Sequence, residues 1–213
     1  MKTAEEILNT LCGTYPALAP CRDQIKAAYA ILYNCATAKG TVLVCGNGGS
    51  AADSEHIAGE LMKGFNLRRP LPEAEKAKFT AVPGGEEIAP KLQGAIRAIS
   101  LVSQSGLISA FANDVDASLI YAQQVYAYAQ KKEDALIALS TSGNSLNVIN
   151  AAITARACGI KTLAITGSGG GKLAEIADLT IRLPANAPFE VQEYTLPVYH
   201  TLCAMLEAAI FSE

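Results

Sequence analysis

Tryptophan is absent from this chain of 213 residues, and histidine occurs only twice, as His56 and His200. No Cys-x-x-Cys pair occurs, and none of the six cysteines (Cys12, Cys21, Cys35, Cys45, Cys158, Cys203) clusters with a histidine. That excludes a zinc finger and gives no disulfide framework, so the thiols read as small buried hydrophobes in a reducing compartment. No apolar run approaches the ~20 residues that a membrane-spanning helix needs, and the N-terminus carries no apolar leader core. The protein is therefore expected in the cytoplasm, with no membrane partner. No Gly-Lys-Ser/Thr is present, which removes an ordinary P-loop. Excess positive charge is also lacking: the formal net charge is −3, which argues against nucleic acid as the main ligand. With half its residues apolar and 17% charged, the chain has the composition of a globular α/β domain and no signature of disorder.

What is present is concentrated first between Thr41 and Glu60. Thr41 to Cys45 is a β-branched apolar run, as a buried parallel strand is. Gly46, Gly48 and Gly49 then remove side chains where the backbone turns tightly or meets a ligand, and Ser50 stands where a helix N-cap is expected. Backbone amides and a helix N-terminus would face one point at the strand's carboxyl end, which makes an anion site. On the same helix His56 and Glu60, at i and i+4, share a face. A phosphorylated substrate whose reacting carbons lie over that pair fits the arrangement. Gly46-x-Gly48-x-x-Ala51 is only a weak dinucleotide fingerprint, because no acidic residue follows it at the required distance and strand end.

The rest of the chain repeats strand and helix. Residues 3–12 and 22–38 read as two helices ahead of the first strand, separated by Tyr15-Pro16 and Ala19-Pro20. Residues 66–97, rich in proline and glycine, read as a long excursion with a short helix at Glu73 to Lys78. Strands are expected at 98–102, 135–140, 161–166 and 179–183, with helices at 105–112, 118–131 and 146–158, another running to Ala177, and a closing helix from Phe189 to Phe211. Asn113-Asp114 reads as a loop. Pro197 stands in the closing helix either at a first turn or as a kink. Five apolar strands separated by helices predict a parallel sheet sandwiched by helices, a three-layer α/β fold of flavodoxin-like or Rossmann-like type.

Two further groups carry chemistry. Ser140-Thr141-Ser142-Gly143-Asn144-Ser145 places four hydroxyls directly after a buried strand and at a helix N-terminus, where they either cap the helix or hold a sugar phosphate. On the closing helix, Gln192 and Glu193 precede His200 by eight and seven residues, so either can share its side. The helices bearing His56 and His200 follow the first and last strands and need not be neighbours in one doubly wound sheet. The apolar closing helix, with Val198, Leu202, Met205, Leu206 and Ile210 spread around it, also has more face than one sheet covers. Both points predict a symmetric homo-oligomer in which one subunit's Gln192 and His200 complete a site begun by another's His56 and Glu60.

Cys45-Gly-Asn-Gly-Gly-Ser50 with Asp53, His56 and Glu60, then Asn113-Asp114, then the 140–145 loop, then Gln192-Glu193 with His200, together resemble the phosphoheptose isomerases of the sugar isomerase (SIS) family in order and spacing. The resemblance implies a single SIS domain over residues 1–213, with N-terminal helices at 1–40 and an inserted loop at 66–97. It implies a homotetramer with sites shared between subunits. The implied activity interconverts sedoheptulose 7-phosphate and D-glycero-D-manno-heptose 7-phosphate through an enediol, in heptose biosynthesis. Carried over by motif, Ser140, Thr141, Ser142 and Ser145 hold the phosphate. Asn47, Gly48, Gly49, Ser50, Glu60, Asn113, Asp114 and Gln192 complete the substrate site, and Glu60 and His200 are the acid/base pair. A zinc ion on His56, Glu60, Gln192 and His200 is implied as well, so the resemblance selects Gln192 over Glu193. The chain departs from the family pattern at Gly64, where a basic residue is expected, and at Phe189, where an acidic one is; Lys63 and Glu190 are their neighbours. The alternative is a non-catalytic adaptor or regulator of the same fold, such as a protein that binds a replication initiator.

Overall fold

A computed structural model describes residues 2–211. Helix α1 (Ala4–Thr14) opens on a capping box, in which the Thr3 side chain accepts from the Glu6 amide and the Glu6 carboxylate accepts from the Thr3 amide. A 3-10 turn (Pro16–Cys21) uses the two prolines that separate α1 from α2 (Arg22–Thr37). Strand β1 (Val42–Cys45), completely buried, leads into α3 (Gly49–Met62). The excursion then folds as α4 (Glu73–Lys76), a 3-10 turn (Ala77–Phe79), α5 (Gly85–Ile88) and another 3-10 turn (Ala89–Lys91). The chain continues through β2 (Ala98–Ser100), α6 (Ser105–Phe111), α7 (Ile120–Tyr128), β3 (Ala135–Leu139), α8 (Leu146–Ala157), β4 (Lys161–Thr166), α9 (Leu173–Ile176) and β5 (Leu179–Arg182). It closes on α10 (Pro188–Phe211).

The sheet is parallel throughout, in the order β2-β1-β3-β4-β5. This is the flavodoxin-like order, and it reverses direction between β1 and β3, so a crevice opens there at the strands' carboxyl ends. The strands alternate in period two. Val42 and Val44 point into a core shared with α1, α2, α3 and α10, whereas Leu43 and Cys45 point into one shared with α7, α8 and α9. Burial pushes the Cys45 and Cys203 thiols up to about 12, which agrees with their reading as inert apolar residues.

Several sequence expectations need correction. Ser50 does not cap α3: Gly48 takes the N-cap position at φ 57°, and Ser50 is buried inside the first turn. A left-handed cap excludes most side chains, so the glycine and not the hydroxyl defines this helix start. Asn113-Asp114 is not a loop; a π-helical turn (Ala112–Asp116) continues α6. Pro197 lies well inside α10 and not in its first turn.

Candidate functional site

The crevice is built by two loops that the sequence singles out, and they are tied together. Asn47, after β1, exchanges two amide hydrogen bonds with Asn147 at the start of α8, at 2.8 and 2.9 Å. The Tyr121 hydroxyl donates to the Gly46 carbonyl at 2.7 Å and fixes the glycine turn from beneath. In the second loop Ser140 Oγ donates to Ser145 Oγ at 3.1 Å, and Ser142 Oγ accepts from the Asn144 amide. Ser145 occupies the N-cap of α8, but its side chain makes no capping bond. Its hydroxyl proton can therefore go to an anion at the start of α8, although the Val148 amide is already taken by the Asn147 side chain and the Ser145 carbonyl.

The start of α10 completes this end. The Gly167 amide donates to the Thr141 carbonyl, and Val191 packs beside Gly167, so the hydroxyl loop and α10 adjoin. Gln192 lies directly on Gly49: a Cβ there would meet the Gln192 amide atoms at 2.6–2.7 Å. Gln192 is thus seated on the first turn of α3, and a side chain at position 49 would have to push its amide aside. Asn113 and Asp114 are exposed and hydrogen-bond each other. Among the described residues, neither bonds to either loop.

Further along the same two helices stands the titratable group. His56 Nε2 is 3.2 Å from Glu60 Oε1, and Lys63 Nζ is 2.9 Å from Glu60 Oε2. Lys63 thus supplies the cation that the sequence lacks at Gly64. The His56 and His200 rings meet edge to face with centroids 5.0 Å apart, and Phe65 and Tyr199 pack against His200 at 5.4 and 4.9 Å. Burial pushes the Glu60 carboxyl up, but Lys63 and His56 outweigh it and hold the group below its usual range. Burial, reinforced by His56, holds His200 below the ordinary imidazole value against the pull of Glu60. At neutral pH the pair is a carboxylate beside a neutral imidazole.

His56, Glu60 and His200 are therefore brought together within one chain. The sequence left open whether their helices are neighbours, and they are: α3 and α10 pack on the same face of the sheet and share one core. Both helices connect on that side, which follows from the strand order and which spacing along the sequence could not reveal. Gln192 stands apart from this trio, toward the crevice.

For a metal, two imidazoles, a carboxylate and an amide form a donor set that suits zinc, and His200 Nε2 is buried without a hydrogen-bond partner. Among the described residues no three His, Cys, Asp or Glu side chains already stand in ligating positions. His56, Glu60 and His200 fit the ion by chemistry and by that orphaned nitrogen, whereas Gln192, lying on Gly49, is not in place to join them.

Three features escaped the sequence reading. Tyr199, buried, places its hydroxyl 2.9 Å from His56 Nδ1 and 3.3 Å from Asp53 Oδ1. Arg69 and Glu207 form a buried ion pair at 2.8 Å. Arg69 also donates to the Glu60 and Leu61 carbonyls, while Glu207 accepts from the amides of Phe65, Asn66 and Leu67. Finally, a cavity of about 530 Å³ lies between α1, α10 and residues 65–67, with His200 in its wall. A polar tip on an otherwise apolar helix was the one available signal for Tyr199; the long-range pair left none.

Comparison with known proteins agrees with this arrangement. The SIS domain model matches residues 17–87 and 86–167. The phosphoheptose isomerase of Rhodospirillum rubrum is 34% identical over 98% of this chain and 100% of its own length. Among solved structures, the phosphoheptose isomerase of Francisella tularensis superposes with a TM-score of 0.71 at 27% identity, covering 95% of this chain and 93% of its own. The one from Neisseria gonorrhoeae gives 0.70 at 25% identity, covering 95% and 98%. In sequence and in overall fold alike, this chain belongs to the phosphoheptose isomerase family of SIS-domain proteins.

Proposed function

We propose that the protein isomerises sedoheptulose 7-phosphate to D-glycero-D-manno-heptose 7-phosphate in heptose biosynthesis. The observation that carries this reading is the pairing, along α3 and α10, of a hydroxyl-lined anion crevice with a carboxylate and a neutral imidazole further along. Gln192 and His200 are eight residues apart, about 12 Å along a helix, a span suited to an extended sugar phosphate. Ser140, Thr141, Ser142 and Ser145 hold the phosphate at the start of α8. Asn47, Gly48, Gly49, Ser50 and Gln192 line the sugar, and Asn113 and Asp114 contact it from the neighbouring helix.

Aldose–ketose isomerisation moves one proton between adjacent carbons and one between their oxygens. Glu60, kept ionised by Lys63, removes the proton from the carbon beside the carbonyl and returns it to the former carbonyl carbon. His200, neutral and partly desolvated, exchanges the proton between the two oxygens. His56, Glu60 and His200 are the residues that would hold zinc; Gln192, the fourth ligand that the family resemblance implies, stands away from them in this subunit. When bound, the ion supplies Lewis-acid stabilisation of the enediolate oxygen.

The single SIS domain spans residues 1–213. The protein works in the cytoplasm as a homotetramer; Phe189 and Leu196, exposed on α10, the latter in the wall of the α1–α10 cavity, are apolar surface that a neighbouring subunit would cover. The adaptor alternative is not favoured, because the relatives carry the isomerase name and the acid/base residues stand together. A steady-state assay with sedoheptulose 7-phosphate, against hexose and pentose phosphates, tests the reading. Turnover should be highest on the heptulose, and purified protein that turns over none of them would overturn it.

A further inference from the structure

The mechanism above leaves the buried Tyr199 hydroxyl and the Asp53 carboxylate without a task. Tyr199 is 2% exposed, and its ring packs edge-on to both His56 and His200. Its hydroxyl has two neighbours, Asp53 Oδ1 at 3.3 Å and His56 Nδ1 at 2.9 Å, and one proton to give. The phenol donates to Asp53 Oδ1, and that is its only proton to give. The phenol oxygen then accepts a proton from His56 Nδ1. The opposite ring nitrogen, Nε2, faces Glu60 Oε1 at 3.2 Å.

We propose that Tyr199, oriented by Asp53, is a positioning residue for His56: it keeps Nδ1 protonated and aims Nε2 at the Glu60 carboxylate, where the two together receive a divalent cation. A histidine that binds a metal through one nitrogen commonly donates its other N–H to an oxygen acceptor, and the chain Asp53–Tyr199–His56 supplies one here. The inference deepens the zinc reading and rests on it for the identity of the cation. The orientation of His56 is a separate matter, fixed by the hydrogen bonds alone.

With only two histidines in the chain, both claims can be read directly. In ¹⁵N spectra of the metal-free, full-length wild type, His56 Nδ1 should carry a proton protected from exchange. In Tyr199→Phe that proton should be lost or exchange fast, while the His200 signals stay in place. Zinc affinity, measured by competition with a chromophoric chelator, should fall ~10- to 100-fold in Tyr199→Phe. The metal-free melting temperature should move little by comparison. Wild-type protein in which His56 Nδ1 is unprotonated overturns the positioning role without any variant, as does a Tyr199→Phe protein whose Nδ1 proton and zinc affinity match the wild type. If the variant loses thermal stability but keeps both, Tyr199 is only a core residue. A wild type that binds no zinc while His56 Nδ1 is protonated removes the zinc reading and leaves the positioning role intact.

Discussion

Glu60 is the residue on which the proposed chemistry turns, and its surroundings show how one side chain is kept ready. Lys63 holds one carboxylate oxygen and His56 the other, and Arg69 grips the carbonyl of the same residue. Glu60→Gln preserves shape but cannot take up a proton, and His200→Gln removes the exchangeable imidazole. Each should lower turnover ~10²-fold or more in a steady-state assay with circular dichroism unchanged. Ser145→Ala separates the two readings of the hydroxyl loop. Ser145 makes no capping bond but accepts from the buried Ser140 hydroxyl, so stability should fall by about 1 kcal/mol while KM for the sugar phosphate rises. A fall in melting temperature without a change in KM would return Ser145 to a capping role. At this scale the sequence was legible where residue type and spacing coincide, as for His56 with Glu60 and for the serine-rich loop. Tyr199 and the Arg69–Glu207 pair were hidden because their partners are joined only by folding, 143 and 138 positions apart.

Among the elements, the strands could be read because a strand buried on both faces is continuously apolar, and each is bounded by glycine, proline or polar residues. Of the 66–97 excursion only the short helix at Glu73 to Lys78 could be read, and it forms as α4 and the 3-10 turn after it; α5, four residues long, has no period to detect. What anchors it is the Arg69–Glu207 pair, whose side chains are 0% and 1% exposed. Glu207→Gln leaves the Arg69 charge buried and weakens three backbone bonds at residues 65–67. A loss of about 3–5 kcal/mol in chemical denaturation is expected. At the sheet edge, Asp178 binds Lys161 Nζ at 2.6 Å and the Thr162 amide at 2.8 Å, clamping β5 to β4. Burial raises its pKa, but Lys161 and the amide overcome that and hold it below 3.8. A depressed carboxyl pKa means that the clamp's contribution is complete above the unfolded value and is lost as pH falls through the folded one. Asp178→Asn should therefore be less stable than wild type at neutral pH, by about 1 kcal/mol or less given solvent screening, and the two should converge as pH falls through the depressed Asp178 pKa. A gap that persists there would show that the charge is not the cause.

For the whole molecule, assembly and the composition of the site are separate questions, although the sequence argument joined them. The apolar face of α10 was read as surplus surface, yet most of it is consumed by α1, α2 and α3 in the same subunit, and only residues such as Phe189 and Leu196 remain exposed. That remnant, with the α1–α10 cavity, still supports a homotetramer, which light scattering should report. It does not require the acid/base pair to be divided. Since Glu60 and His200 are held beside the same His56 in one chain, a Glu60→Gln subunit and a His200→Gln subunit each carry one broken site. Mixing the two variants under conditions that exchange subunits should restore no activity beyond the sum of the separate proteins. Mixed oligomers can be verified by a tag on one partner and the assay run on the purified hetero-oligomer. Activity approaching a quarter of wild type would mean that α10 crosses between subunits, placing one subunit's His200 against its neighbour's Glu60. Absence of complementation in proven mixed tetramers would mean that the tetramer stabilises or shapes the crevice and does not complete its chemistry.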